Sequence, residues 1–282
     1  FTSYSTDCST AFGCMDPLAQ NYIPLATIDD SSCTYQMTYI PDDLFVSELI
    51  MYCFDPGESL NSFTIPSDFI ISDFVRTCLI SQITGEYNHF SGYSDWTGIE
   101  DFSSLVILHI DDNIGSLPDF NLLPQLEIIK ISSTYQSNNL DLTGLYHLEE
   151  LHFLFDFSTF GLTYDSLPSL EVFFTNSGLW VDDTLDLTYS PDIRIIELSS
   201  GWPSNSLKHI ILPHFSDLEV LNLKGNQLTS LDLRNNTNIT TFNATNNPNL
   251  FCVDVDDPVW SAANWTSIDS HTSFSSNCAT VF

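Results

Sequence analysis

Short alternating runs of apolar residues recur in the second half of the chain at a nearly constant spacing. In each run the apolar residues occupy the first, fourth and sixth positions, as Leu218, Leu221 and Leu223 do. Such a run buries one face of a short β-strand and leaves the other face toward solvent. Successive runs begin 10, 11 and 11 residues apart, at Leu218, Leu228, Ile239 and Leu250. The spacing therefore predicts a regular succession of short strands.

The same pattern extends back through most of the chain as two interleaved series. The first series has starts 21, 22, 22, 23, 25 and 21 residues apart, at Leu105, Leu126, Leu148, Leu170, Ile193, Leu218 and Ile239. The second series lies near Leu117, Leu140, Leu162, Leu185, Leu207, Leu228 and Leu250. We therefore expect a β-rich solenoid with two short strands in each coil of about 21–25 residues. An ordinary β-sandwich is the alternative, but nothing in that fold requires one triplet pattern to persist.

Asparagine follows the triplets where the pattern is most regular, at Asn226, Asn236 and Asn247. In a turn, Asn tolerates the bend and its side chain can bond to neighbouring backbone groups. The resulting L-x-x-L-x-L-x-x-N repeat is the signature of leucine-rich repeats, which the chain resembles in this respect.

The segments that flank the repeats predict a cap at each end of the solenoid. Residues 39–54 have a helical apolar stripe with Pro41 near the first position, so we expect an N-terminal helical cap. Cys53 and Cys78 are the available local cysteine pair there. The predicted domains are a small Cys-containing module at 1–36, the N-terminal cap at 37–98, the repeats at 99–256 and a C-terminal cap at 257–282.

The C-terminal cap carries Trp260, Trp265 and Phe274, which can cover the last coil. Cys252 on the last strand and Cys278 in the tail can link the cap to the solenoid by a disulfide.

Composition and cysteine content together predict the compartment of the protein. The chain has 6 Lys and Arg against 37 Asp and Glu, a net charge of −31, which repels nucleic acids and anionic membrane surfaces. No apolar run reaches the roughly 18 residues of a membrane span, so we expect no membrane insertion. The seven Cys indicate disulfides and hence an oxidising compartment, so we expect a secreted or cell-surface protein.

The segment Gly13–Tyr35, GCMDPLAQNYIPLATIDDSSCTY, resembles a small module of secreted proteins of the Bacteroidota and some other marine microbes. The resemblance implies a disulfide between Cys14 and Cys33; Ser31 stands where that module usually has Gly. Cys8 is then left over for an intermolecular disulfide, unless it replaces Cys14 as the partner of Cys33.

Four oxygen-bearing side chains lie within this Cys-closed loop, at Asp16, Asn21, Asp29 and Asp30. Calcium prefers several such oxygen ligands, so the loop is a candidate calcium site. The alternative is that these side chains stabilise turns by bonding to the backbone. No cofactor is otherwise required.

Nearly the whole chain resembles secreted leucine-rich-repeat proteins of the Bacteroidota, which are commonly exported by the type IX secretion system. The resemblance is carried by WTGIEDFSSLVIL, by LTSLDLRNNTNITTFNATNNPNL and by the closing CVDVDDPVWSAANWTSIDSHTSFSSNC. The middle coils depart from it, with Thr134, Asp156, Gly178 and Gly201 at the usual Asn position. The family implies a secreted or cell-surface binding protein. Asp165-Ser166-Leu167 and Asp183-Thr184-Leu185 also resemble the short O-glycosylation sites of that phylum, at Ser166 and Thr184.

The sequence contains no motif that predicts catalysis. His147 and His152 are five residues apart on a predicted strand, where they face opposite sides, and do not form the H-E-x-x-H zinc motif. We therefore expect no enzymatic activity.

A binding face is predicted by the third and fifth positions of the first-series strands, which should point away from the core. Several carry apolar, aromatic or basic side chains, and the candidate ligand-binding residues are Ile107, His109, Ile128, Lys130, His152, Val172, Phe174 and Ile195. Exposed apolar surface often marks an interaction site, so we expect adhesion to a protein or glycan on a surface. One alternative is that valine and isoleucine occupy these positions for strand propensity alone. Another is a structural subunit or tip component of a surface appendage, which would self-associate.

Overall fold

A computed structural model describes residues 11–17, 19–40, 70–71, 74–76, 85–87, 95–111, 117–132, 140–154, 162–175, 183–199, 207–214 and 217–280. The chain divides into two units, Phe1–Thr84 with Asp95–Ser104 and Gly85–Ser94 with Leu105–Phe282. Each unit is considered by itself.

The first unit contains the cysteine module and a small antiparallel sheet. In the module, β1 (Phe12–Gly13) pairs in parallel with β2 (Ile28–Asp29). The predicted Cys14–Cys33 disulfide is confirmed. The sheet orders β3 (Met37–Tyr39), β5 (Phe74–Arg76) and β4 (Ile70–Ile71), and a 3-10 helix follows at Ile99–Asp101.

Other predictions for this unit fall on residues that the structure does not describe. They are the helix over 39–54 beyond residue 40, the Cys53–Cys78 pair and the partner of Cys8. These stay predictions.

The second unit is a parallel β-solenoid of about six turns, which confirms the solenoid expected from the triplets. The first-series strands form one parallel sheet, in the order β6 (Gly85–Tyr87), β7 (Leu105–Asp111), β8 (Ile128–Ser132), β10 (Glu150–Phe153), β12 (Val172–Thr175), β14 (Ile195–Leu198), β16 (Val220–Asn222) and β18 (Thr241–Asn243). Each strand after β8 thus pairs with the strand one coil away, not with its neighbour in sequence. Parallel pairing from coil to coil excludes the sandwich alternative.

The second-series strands form shorter parallel ladders. They are β9 (Leu140–Asp141), β11 (Leu162–Thr163), β13 (Thr184–Asp186), β15 (His209–Ile211), β17 (Leu231–Asp232), β19 (Cys252–Asp254) and β20 (Ser273–Ser275). Here β9 pairs with β11, β13 with β15, and β19 with both β17 and β20.

The core of the solenoid lies between the two series of strands. The first residues of five first-series triplets are 0% exposed, at Leu126, Leu148, Leu170, Ile193 and Leu218. Inside the main sheet, Leu108, Ile129, Leu151 and Phe173 align from strand to strand and are at most 1% exposed. The stacking of these side chains is the direct result of the repeated triplet.

Asparagine forms the inner lining of the turns, as predicted. The Asn226 amide donates to the carbonyls of Leu198 at 2.9 Å and Leu223 at 2.8 Å. Asn247 repeats this contact one coil later, with its amide donating to Leu223 at 2.9 Å. Both side chains are fully buried, so each turn depends on one amide for its backbone hydrogen bonds.

Carboxylates join neighbouring coils at turns in which the backbone has a positive φ. Gly144, Asn235 and Asn246 have φ of 84°, 68° and 61°. Their N–H groups donate to Asp165, Asp256 and Asp269 of the following coil, at 3.3, 2.8 and 2.9 Å. Part of the acidic surplus therefore serves the architecture.

The C-terminal segment lies on the last coil. Helix α1 (Pro258–Asn264) is capped by Asp257, whose carboxylate accepts from two helix N–H groups at 3.0 Å. Trp265 packs on Phe242 with ring centroids 5.1 Å apart. The predicted Cys252–Cys278 disulfide is confirmed. Within the residues described here, no helix is long and apolar enough to cross a membrane.

Candidate binding surface

The eight predicted binding residues lie in two adjacent rows on the face of the main sheet opposite the core. The strand register aligns the third positions as Ile107, Ile128, Glu150, Val172, Ile195, Val220 and Thr241. It aligns the fifth positions as His109, Lys130, His152, Phe174, Glu197, Asn222 and Asn243. We call the eight predicted residues the binding strip: Ile107, His109, Ile128, Lys130, His152, Val172, Phe174 and Ile195.

Burial alternates along each strand that carries the strip. On β8, β10, β12 and β14 the strip positions are half-buried, whereas the residues between them are buried in the core. Neighbouring coils are about 4.8 Å apart, so each side chain shields part of the next. The strip is therefore a continuous half-buried surface and not a set of isolated side chains.

The middle of the strip combines a side-chain hydrogen bond with a ring contact. His152 Nε2 lies 2.9 Å from Glu150 Oε2 on the same strand. The His152 ring faces Phe174 of the next coil, with centroids 5.8 Å apart and an interplanar angle of 32°. Glu150, which the sequence pattern left out of the strip, thus fixes the orientation of one of its members.

Beyond Ile195 the fifth-position row is polar and engaged in internal hydrogen bonds, whereas the third-position row continues with Val220 before it becomes polar at Thr241. Asn222 donates to Glu197 Oε2 at 2.8 Å and accepts from the backbone of Lys224 at 3.2 Å. Asn243 accepts from the backbone and hydroxyl of Thr245 at 3.0 and 2.8 Å. The basic and aromatic side chains of the face therefore end at Phe174, and the aliphatic row ends at Val220.

An acidic row borders the strip on the residues that precede the strands. The register stacks Glu127, Glu149, Glu171, Arg194 and Glu219 through successive backbone hydrogen bonds. Arg194 lies 3.1 Å from Glu219 and 3.7 Å from Glu171. The hydrogen bond and the charge of Glu219 raise the pKa of Arg194. This row was missed from the sequence, although Leu-Glu opens four of the triplets.

Each of the four candidate calcium ligands has one side-chain oxygen engaged by the protein itself. Asp16 accepts from the Tyr35 hydroxyl at 2.6 Å, and Asn21 accepts from a backbone N–H at 2.8 Å. Asp29 and Asp30 accept from backbone N–H groups two residues ahead, at 3.0 and 3.1 Å. These contacts match the turn-stabilising alternative. Across the described ranges, no group of three or more His, Cys, Asp or Glu side chains is placed to hold a metal.

The structure also describes Ser31 of the cysteine module and the two candidate O-glycosylation positions, Ser166 and Thr184. Ser31 has a φ of 60°, the left-handed conformation that Gly adopts most easily, which agrees with Gly at that place in the module it resembles. Ser166 is half-buried, with its N–H 2.8 Å from the Asp165 carboxylate, and Thr184 is exposed at the start of β13.

No protein-family model matches the chain, and neither does any curated protein or any solved structure. Inference about its function therefore rests on the chain's own residues.

Proposed function

We propose that this protein is a secreted, non-catalytic binding protein whose leucine-rich-repeat solenoid attaches to a protein or glycan on a cell surface through the binding strip. One observation carries the proposal. The strand register gathers four aliphatic side chains, two histidines, one lysine and one phenylalanine into a single half-buried surface of a chain with net charge −31.

Strand propensity alone is a weak explanation for the aliphatic row. Glu150 and Thr241 occupy the same structural position in other coils, so the solenoid accepts polar residues there. Aliphatic residues on a water-facing strand contribute less to folding than core residues do, because they are only partly buried. A row of them on one face is more typical of an interaction site.

The disulfides support the proposed compartment. The structure contains the disulfides Cys14–Cys33 and Cys252–Cys278. Structural disulfides persist in oxidising compartments and are rare in cytosolic proteins. Together with the resemblance to secreted proteins of the Bacteroidota, they favour export, and type IX secretion is the route that the resemblance implies. Calcium binding by the cysteine module is a subsidiary part of the proposal.

The test is a triple replacement in the strip, Lys130→Ser, His152→Ser and Phe174→Ala. The chain offers a control on the second series of strands, Lys208→Ser, His209→Ser and Ile211→Ala, which alters an exposed lysine, an exposed histidine and an exposed apolar residue. Binding is measured on arrays of extracellular protein domains and of oligosaccharides, with circular dichroism to verify folding. We expect the strip variant to lose at least about tenfold in affinity and the control to retain it.

Unchanged binding by a folded strip variant would move the site off this face. If the same protein then sedimented as concentration-dependent oligomers, the appendage-subunit alternative would replace adhesion. Turnover of any arrayed polysaccharide would contradict the non-catalytic assignment.

A further inference from the structure

Lys130 differs from the other basic residues of the solenoid. Arg194, Lys208 and Arg234 each form an ion pair with a carboxylate. Lys130 forms neither an ion pair nor a side-chain hydrogen bond within the part of the chain that the structure describes, although its side chain is half-buried. Lys224 also has no ion pair among the described residues, but it is exposed in a turn.

The half-buried side chain of Lys130 has no carboxylate within ion-pair distance among the described residues, so its ammonium group gains no Coulombic partner there. The chain does not lack carboxylates, since it has 37 acidic residues against 6 Lys and Arg. Glu150, whose carboxylate lies on the same face one coil away, bonds to His152 instead. Lys130 is thus left as a basic centre between His109 and His152, with Ile128 beside it on the same strand.

We propose that Lys130 anchors a carboxylate of the bound partner, and that this partner is an extended protein segment with apolar side chains. The inference rests on the proposed function and narrows it to one class of ligand. The segment lays its apolar side chains along Ile107, Ile128, Val172 and Ile195 and directs one Asp or Glu at Lys130.

The composition of the strip favours a protein segment over a glycan. One of its two rows has aliphatic residues at all four of its strip positions, which matches apolar side chains, whereas sugar rings stack best on the flat faces of aromatic rings. From Ile107 to Ile195 the row spans four coil steps, about 19 Å, which about six residues of an extended segment cover. A carboxylate near the centre of such a segment would supply the counter-ion that Lys130 does not have among the described residues.

The test uses an array of synthetic peptides of about eight residues in which alternate positions carry Val, Leu, Ile or Phe. The central position carries Glu, Gln or Lys in otherwise identical peptides. Fluorescence anisotropy is measured with the unmodified full chain, with Lys130→Met, which keeps the length of the side chain, and with Lys224→Met as the matched control.

We expect the best Glu peptides to bind at least about tenfold tighter than their Gln counterparts, or about 1.4 kcal/mol. Lys130→Met should abolish this difference, and Lys224→Met should preserve it. The Lys peptides should bind most weakly to the unmodified chain.

Equal affinity for Glu and Gln peptides would overturn the carboxylate anchor, and Lys130 would then only cover Ile128 with its stem. If binding of both remained sensitive to Phe174→Ala, the proposed function would still stand. Lys130-dependent binding of an oligouronate together with no peptide binding would overturn the protein segment as the occupant. Failure of every probe would also overturn the inference, while the protein and oligosaccharide arrays would judge the proposed function separately.

Discussion

Replacing Asn247 by Leu should reveal how strongly the solenoid depends on its buried amides. Leu has nearly the same shape as Asn but can neither donate nor accept a hydrogen bond. The Asn247 amide donates to the carbonyls of Leu223 at 2.9 Å and Ala244 at 3.0 Å, and its oxygen accepts from the N–H of Leu228 at 3.1 Å. The side chain is 0% exposed, so water cannot replace these partners without opening the turn.

The magnitude follows from counting the groups left without a partner. Leu223 keeps a second donor, because the Asn226 amide also bonds to its carbonyl at 2.8 Å. The Leu228 N–H and the Ala244 carbonyl lose the bonds described above. Each buried unsatisfied group costs about 1–3 kcal/mol, so the variant should lose about 2–6 kcal/mol of unfolding free energy.

Urea unfolding is followed by circular dichroism and by tryptophan fluorescence. The unfolding free energies of the variants are compared where their m-values agree. Asn249→Leu is the matched control, because Asn249 is exposed two residues away and makes one bond of 3.4 Å to Gln227. We expect this control to change stability by no more than about 0.5 kcal/mol. A loss below about 1 kcal/mol in Asn247→Leu would refute the reasoning.

A double-mutant cycle sharpens the same prediction. Asn226→Leu and Asn247→Leu each leave the Leu223 carbonyl with one donor, whereas the double variant leaves it with none. The double variant should therefore lose more stability than the sum of the single variants, by about 1–3 kcal/mol. Strict additivity would mean that the Leu223 carbonyl is not shared in solution.

Three other changes test the turns and the disulfides. Hydrogen bonds from Arg234 lower the pKa of Asp232. The unmodified chain should therefore be more stable than Asp232→Asn above the unfolded pKa of about 3.9, and this difference in stability should vanish as pH falls through the folded pKa. Urea midpoints across pH measure the difference, and one that grows toward low pH would contradict the prediction. Removing the Cys252–Cys278 disulfide, which closes a separation of 26 residues, should cost about 3.5 kcal/mol. Thermal melting of the double Ala variant against the unmodified chain, both without reductant, measures this loss, and equal stability would contradict it. Added calcium should raise, and chelator lower, a melting transition of the cysteine module if its four candidate ligands bind the ion; identical calorimetric curves would exclude calcium there.

The buried half of the solenoid could be predicted from the sequence because one period governs it. Once coil length is known, Leu126, Leu148 and Leu170 must stack, and the residues two and four places after each must lie on the opposite face. The Asn turns and the Cys252–Cys278 pair follow from the same register. These elements depend on positions that repeat.

The polar contacts between coils could not be read in the same way. Gly144 and Asp165 are 21 residues apart and meet only because that coil has this length and that turn has a positive φ. The binding of Glu150 to His152 depends on rotamers, which no repeat pattern specifies. Calcium binding by the cysteine module likewise depends on whether the side-chain oxygens converge on one point or bond to the nearby backbone. The sequence does not specify this; in the structure Asp29 bonds to the N–H of Ser31.

Salt should speed the association of an acidic peptide with this protein. The chain carries a net charge of −31, so it repels a carboxylate at long range even though Lys130 attracts it on contact. Between about 0.1 M and about 1 M salt the Debye length falls from about 10 Å to about 3 Å. This screens the distributed acidic field much more than a contact of about 3 Å between an ammonium and a carboxylate. The association rate of a Glu peptide, measured by stopped-flow anisotropy, should therefore rise with salt, and the Gln peptide should respond less. A rate that falls with salt would mean that the field near the strip is positive, and that His109, Lys130 and His152 together outweigh the acidic row beside them.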